Sequence, residues 1–169
     1  MSSESALNFD KSGNLTPGIL KNVTIEEFKQ FFIESFAQSK TRERNYEGFR
    51  AFFAELKRID VFEAITKIWV DGSYMTNKLD PNDIDFVFFL DAEHPLTLPA
   101  LNHKNDFRQY GAQVHCDPYF LVDYETLPKE EVEARGQLEF QQKYWMGQFC
   151  FDRNQDPKGI IELKKSDLE

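Results

Sequence analysis

A chain of 169 residues with 41% hydrophobic residues, 17 of them Phe, has the length of one ordinary domain and enough apolar surface for a packed core, which excludes a disordered sequence. No apolar run approaches the roughly 18 to 20 residues that cross a bilayer, and Met1-Ser2-Ser3-Glu4-Ser5 lacks the basic start and apolar stretch of a secretory signal; the expectation is a soluble cytoplasmic protein with no membrane partner. The net charge of -9 argues against strong autonomous nucleic-acid binding, although divalent cations would still let such a chain hold a triphosphate.

In chain order, a polar tail and a lead-in segment with turns at Ser12-Gly13-Asn14 and Pro17-Gly18 come first. Thr24 and Glu27 form a capping box, and Phe28, Phe31, Phe32, Ser35 and Phe36 follow at helical spacing, predicting a first helix over about 24–38. Tyr46, Phe49, Phe52, Phe53, Leu56 and Ile59 repeat the pattern and predict a second helix, with Arg42, Glu43, Arg44, Glu47 and Arg50 on or near its wet side. Ile68-Trp69-Val70 then reads as a short strand ending at Asp71-Gly72-Ser73, and 84–90 as a second strand, both central. Residues 92–104, with Pro95, Pro99 and two histidines, read as a loop. A third strand is expected over about 112–122, with Pro118 marking a bulge or an edge. Helical signal returns over about 129–145, followed by a turn at 154–157 and a last strand at 159–163. The expected fold is α/β, a single domain with a mixed sheet packed against helices and two N-terminal helices preceding the sheet.

Chemistry concentrates between residues 69 and 86. A strand ends in Gly72-Ser73, nine residues intervene, and Asp83 and Asp85 open the next strand. Side chains two apart in a strand share a face, so Asp83 and Asp85 point one way while Ile84, Phe86 and Phe88 point into the core. Two such carboxylates repel each other unless divalent cations sit between them and a polyphosphate. Gly72 permits a tight turn and close backbone approach, and the Ser73 hydroxyl with the following N–H groups can bond phosphate oxygens. Lys78, Arg153 and Lys158 are further candidates to meet a triphosphate, although a basic residue on an acidic protein is more often a solvated surface charge.

Gly-Ser, nine residues, then Asp-x-Asp opening an apolar strand resembles the signature of the nucleotidyltransferase superfamily, the polymerase-beta-like fold. The segment Tyr144-Trp145 through Phe149, Asp152-Arg153 and Lys158-Gly159-Ile160 further resembles a group of small bacterial proteins assigned to it. The resemblance implies transfer of a nucleoside monophosphate from a nucleoside triphosphate to a hydroxyl, with two Mg2+ ions (or Mn2+) held by three carboxylates. Asp83 and Asp85 would be two of these. For the third the resemblance asks for a neighbouring strand, where Asp117 is the first choice, as metal ligand and base, and Asp123 the fallback; Cys116 and Pro118 approximate the apolar flanks the family has there. By analogy, the acceptor is a protein or RNA in a bacterial toxin-antitoxin or defence setting. A non-catalytic antitoxin-like or regulatory module on the same fold is the alternative.

Other sites do not fit. Ile84 and Asp85 break a calcium loop starting at Asp80, and Pro157 and Leu163 break one starting at Asp152, which reads better as a hairpin turn. His94, His103 and His115 lack companions at zinc-site spacing, and only His115 stands near a candidate carboxylate. Cys116 and Cys150 read as two half-buried thiols.

Overall fold

The computed structural model describes residues 7–169 and holds a five-stranded mixed sheet between helices. The elements run β1 (Ile19–Leu20), α1 (Ile25–Phe32), α2 (Arg42–Arg58), β2 (Ile65–Asp71), β3 (Ile84–Asp91), α3 (Thr97–Leu101), α4 (Lys104–Gln113), β4 (Cys116–Asp123), α5 (Val132–Phe149) and β5 (Ile160–Lys164), with single 3-10 turns between several of them. Strand order is β1-β5-β2-β3-β4; β2 is antiparallel to both β3 and β5, whereas β3 runs parallel to β4 and β1 to β5. Among the described residues no helix is long and apolar enough to cross a membrane.

Period-two alternation divides the sheet's side chains between two cores. Ile68, Val70, Ile84, Phe86, Phe88 and Leu163 face the larger core, where Phe28 and Phe32 of α1, Phe49, Phe52 and Phe53 of α2, and Phe107 of α4 pack in tilted and edge-to-face pairs. Trp69, Val87, Phe89 and Ile160 face the opposite way, toward Met146 and Phe149 of α5. Both aromatic stripes read from the sequence are therefore core. The Thr24–Glu27 capping box is present, and Pro118 lies in the edge strand.

Three expectations need correction. The first helix stops at Phe32 and continues only as a 3-10 turn at Glu34–Phe36. The loop expected over 92–104 contains helix α3 and ends where helix α4 begins at Lys104, and the third strand starts at Cys116, after α4, rather than near 112. The cause is topological: parallel strands need a crossover connection, and α3 and α4 supply it between β3 and β4. Finally, Arg42 is not on the wet side of α2 but fully buried.

Arg42 organises the long connection from β2 to β3. Its guanidinium donates to the carbonyls of Phe32 (3.1 Å), Tyr74 (2.9 Å), Thr76 (2.7 Å) and Lys78 (2.6 Å), and it lies 3.8 Å from the Phe36 ring centroid. Tyr74 answers by donating its hydroxyl to the Arg42 carbonyl at 2.9 Å. The same helix end extends the clamp, since Asn45 donates to the Pro81 carbonyl and Arg44 to that of Asn82. Burial lowers the Arg42 pKa to about 10, with Tyr74 and Asp80 opposing the shift, so the side chain stays charged near neutrality.

Removing a buried cation strands several carbonyls at once, so Arg42→Ala is expected to lower unfolding free energy by about 3 kcal/mol or more, measured by urea denaturation. Arg42→Lys should recover only a minor part, because one ammonium cannot match the fork.

Candidate active site

The connection that Arg42 clamps ends at Asp83, just before β3. Across the sheet the register pairs Asp71 with Asp85 and Asp85 with Asp117, so three carboxylates from β2, β3 and β4 lie in one row. Asp71 is two residues beyond Trp69, Asp85 two before Val87, and Asp117 two before Tyr119. All three therefore belong to the sheet face of the smaller core, at its open end. Asp83 is half-buried, and its charge reaches both Asp85 and Asp117.

The Gly-Ser turn abuts this row. Gly72 has φ 73°, and a Cβ there would lie 1.9 Å from the Asp85 Oδ2, so only glycine lets the backbone pass the carboxylate. Ser73 follows, half-buried, in a single 3-10 turn. Lys78 is exposed, and its charge partly offsets that of the other carboxylates on Asp83.

The lead-in segment closes one rim. Asn77 N–H donates to the Gly13 carbonyl at 2.9 Å, Asn14 Nδ2 donates to Asp152 at 2.9 Å, and Gly159 N–H donates to the Leu15 carbonyl. These bonds seat the turn at 151–157, and half-buried Lys158 directs its positive charge at Asp71 and Asp85. Arg153 is exposed on that turn.

Asp117 and Asp123 are separated decisively. Asp123 pairs in register with Asp91 at the other end of β4, about 20 Å along the strand, and accepts bonds from the Thr66 hydroxyl (2.7 Å) and the Glu125 N–H (3.1 Å). It is a structural cap far from the row. Asp117 instead accepts the Tyr119 hydroxyl at 3.0 Å and stands in register beside Asp85. His115, next to it, adopts the left-handed conformation with φ 60° at the entry to β4. Neither cysteine is in a disulfide.

Crowded acids shift one another. Burial raises Asp85 to about 7, with Asp83 and Asp117 adding to the effect and Lys158 opposing it. Burial also pushes Asp71 well up, and Asp85 adds to it. Asp83 rises by burial and by the charge of Asp117, and burial takes the Cys116 thiol to about 12. Sequence reasoning passes over Asp71, because an aspartate before Gly-Ser reads as part of the turn. It is 0% exposed, and neither carboxylate oxygen has a hydrogen-bond partner. The alternation from Trp69 was the available signal, but its pairing with Asp85 cannot be read along the chain.

Among the described residues no group of three or more His, Cys, Asp or Glu side chains is placed so as to hold a metal ion. The donors of the row are nevertheless hard oxygens, as magnesium requires, and the partnerless oxygens of Asp71, in register with Asp85 and then Asp117, fit a site lacking positive charge.

A carboxyl with a folded-state pKa near 7 and an ordinary value of 3.8 binds its proton more tightly when folded. Its contribution is complete below the ordinary value and is lost as pH rises through about 7. In metal-free protein, the stability of wild type relative to Asp85→Asn should therefore decline between about pH 4 and pH 7 and level off above, as followed by urea denaturation at several pH values.

No curated protein and no solved structure matches the chain significantly. Residues 7–164 match the family described as a family of unknown function, DUF6932, and so span nearly the whole sequence. The match embraces the Gly-Ser turn, the row of aspartates and the lead-in segment alike, and the chain belongs to the DUF6932 family.

Proposed function

We propose that the protein is a metal-dependent nucleotidyltransferase that moves a nucleoside monophosphate from a nucleoside triphosphate to a hydroxyl, on a nucleotidyltransferase-like sheet. What carries this reading is the convergence of Asp83, Asp85 and Asp117, with Gly72 packed directly against Asp85. Asp83, Asp85 and Asp117 would hold two Mg2+ or Mn2+ ions. When bound, such ions neutralise the carboxylates and the charge developing on the phosphates.

The chain's own residues divide the remaining work. Gly72 admits the phosphates close to the backbone, and the Ser73 hydroxyl and neighbouring N–H groups bond their oxygens. Lys158 and Lys78 add positive charge at the rim. As the acceptor oxygen bonds to the α-phosphorus, the bond from that phosphorus to the bridging oxygen breaks and pyrophosphate leaves; Asp117 receives the hydroxyl proton. Tyr119 orients Asp117 by donating to it. Burial of Asp71 keeps competing water away from its end of the row.

A second reading, a regulatory or antitoxin-like binding module, is favoured by α5. Its Val132, Phe140 and Tyr144 are 75%, 73% and 57% exposed, a large apolar display for one helix.

Incubation with each labelled triphosphate, Mg2+ and protein or RNA acceptors tests the first reading. Transfer is expected in wild type and at background in Asp83→Ala. Failure with all four triphosphates, together with partner binding that survives Asp83→Ala, would establish the module instead. MgCl2 at pH 8 should raise the melting temperature of wild type and leave Asp83→Asn unmoved, read by scanning calorimetry.

A further inference from the structure

A cavity of about 480 Å3 opens beside Asp117, and its walls do not include the Gly72-Ser73 turn. Its walls include Asn82, Asp83, Arg108, Gln109, His115 and Asp117. Arg108 stands on α4, exposed, and approaches the ring of Tyr119 with its guanidinium carbon 5.8 Å from the centroid. That is the ring whose hydroxyl bonds Asp117. Arg108 forms no ion pair with a described carboxylate, so its fork is available to a ligand. Ala112, one turn further along α4, leaves the floor open, and the left-handed backbone at His115 turns the chain sharply from α4 into β4 beside it.

Resting on the nucleotidyl-transfer reading, we propose that this cavity is the acceptor subsite and that it takes a hydroxyl compound bearing a phosphate group. No phenylalanine, tyrosine or tryptophan lines the cavity, the His115 imidazole is its one ring, and all its other wall groups except Ala112 and Cys116 are polar, so capture falls to polar groups. The single full positive charge is a guanidinium, whose planar fork matches a phosphate bidentately. Asp83 and Asp117 repel an anion, so the phosphate goes to Arg108 and the hydroxyl to Asp117. In the transfer the hydroxyl oxygen bonds to the α-phosphorus, its proton passes to Asp117, and pyrophosphate departs; the acceptor's own phosphate is a handle and is not consumed. Two sources share this chemistry, the 3′ end of an RNA and a small phosphorylated alcohol.

The test is calorimetric titration, without nucleotide, of inorganic phosphate, glycerol 3-phosphate, plain glycerol and a ten-residue RNA with a free 3′ hydroxyl into wild type and Arg108→Met. Saturable binding of glycerol 3-phosphate or of the RNA is expected, with none for glycerol, and the one that binds names the source. Arg108→Met should weaken it about tenfold or more, with the affinity for ATP and Mg2+ unchanged. Absence of binding in wild type, equal binding by Arg108→Met, or equal labelling of an unphosphorylated protein acceptor by both would overturn the proposal. Because the titration contains no nucleotide, it fails independently of the transfer reaction, which the Mg2+ and triphosphate assays judge.

Discussion

A single buried cation holds the candidate site in shape. Arg42 sits at the first turn of α2 and gathers carbonyls from the end of α1 and from three positions of the connection between β2 and β3. That connection carries the Gly-Ser turn at its start and Asp83 at its end. Without a fixed path between them, neither the approach of Gly72 to Asp85 nor the position of Asp83 would be defined. A buried charge is costly unless its hydrogen bonds are satisfied, and here the fork finds carbonyls at every side while two aromatic rings flank it. The aromatic core thus does more than supply hydrophobic stabilisation, because Phe36 and Tyr74 line the slot that the guanidinium fills.

At the other end of the same architecture, electrostatics runs against stability. Antiparallel pairing of β2 with β3 and parallel pairing of β3 with β4 bring three aspartates side by side, with Asp83 close at hand. Lys158 is the main opposing charge at Asp71 and Asp85, delivered by a turn that the lead-in segment braces. Such an arrangement costs folding free energy, and a chain that places it where a glycine turn meets an open sheet end has set stability against the capacity to bind charge. The acidic balance of the whole chain is consistent with this, since it disfavours phosphate backbones in general and leaves anion capture to local groups.

Much of this was legible in the sequence wherever a local period carries the information. The stripes Phe28 to Phe36 and Tyr46 to Ile59 announce buried helix faces, and alternation after Asp83 separates carboxylates from Ile84, Phe86 and Phe88. What failed depends on contacts between distant segments. Arg42 reads as a solvated charge because nothing within α2 reveals the carbonyls that await it. Helix α4 carries Phe107, Tyr110 and Gly111 at helical spacing, with Val114 as its C-cap, but the prolines and histidines before it and the proline after it suggest loop and strand. Asp117 is preferred over Asp123 already along the chain, but only the register places it beside Asp85, and Asp71 emerges only from the same ladder.

The most direct test of the account is a crystal structure with Mn2+ and a non-hydrolysable triphosphate, using the anomalous signal of manganese to locate the ion. The account predicts manganese among the carboxylates of Asp83, Asp85 and Asp117, with the phosphates against Gly72 and Ser73. Manganese or phosphates bound elsewhere, with that row empty at saturating metal, would contradict it.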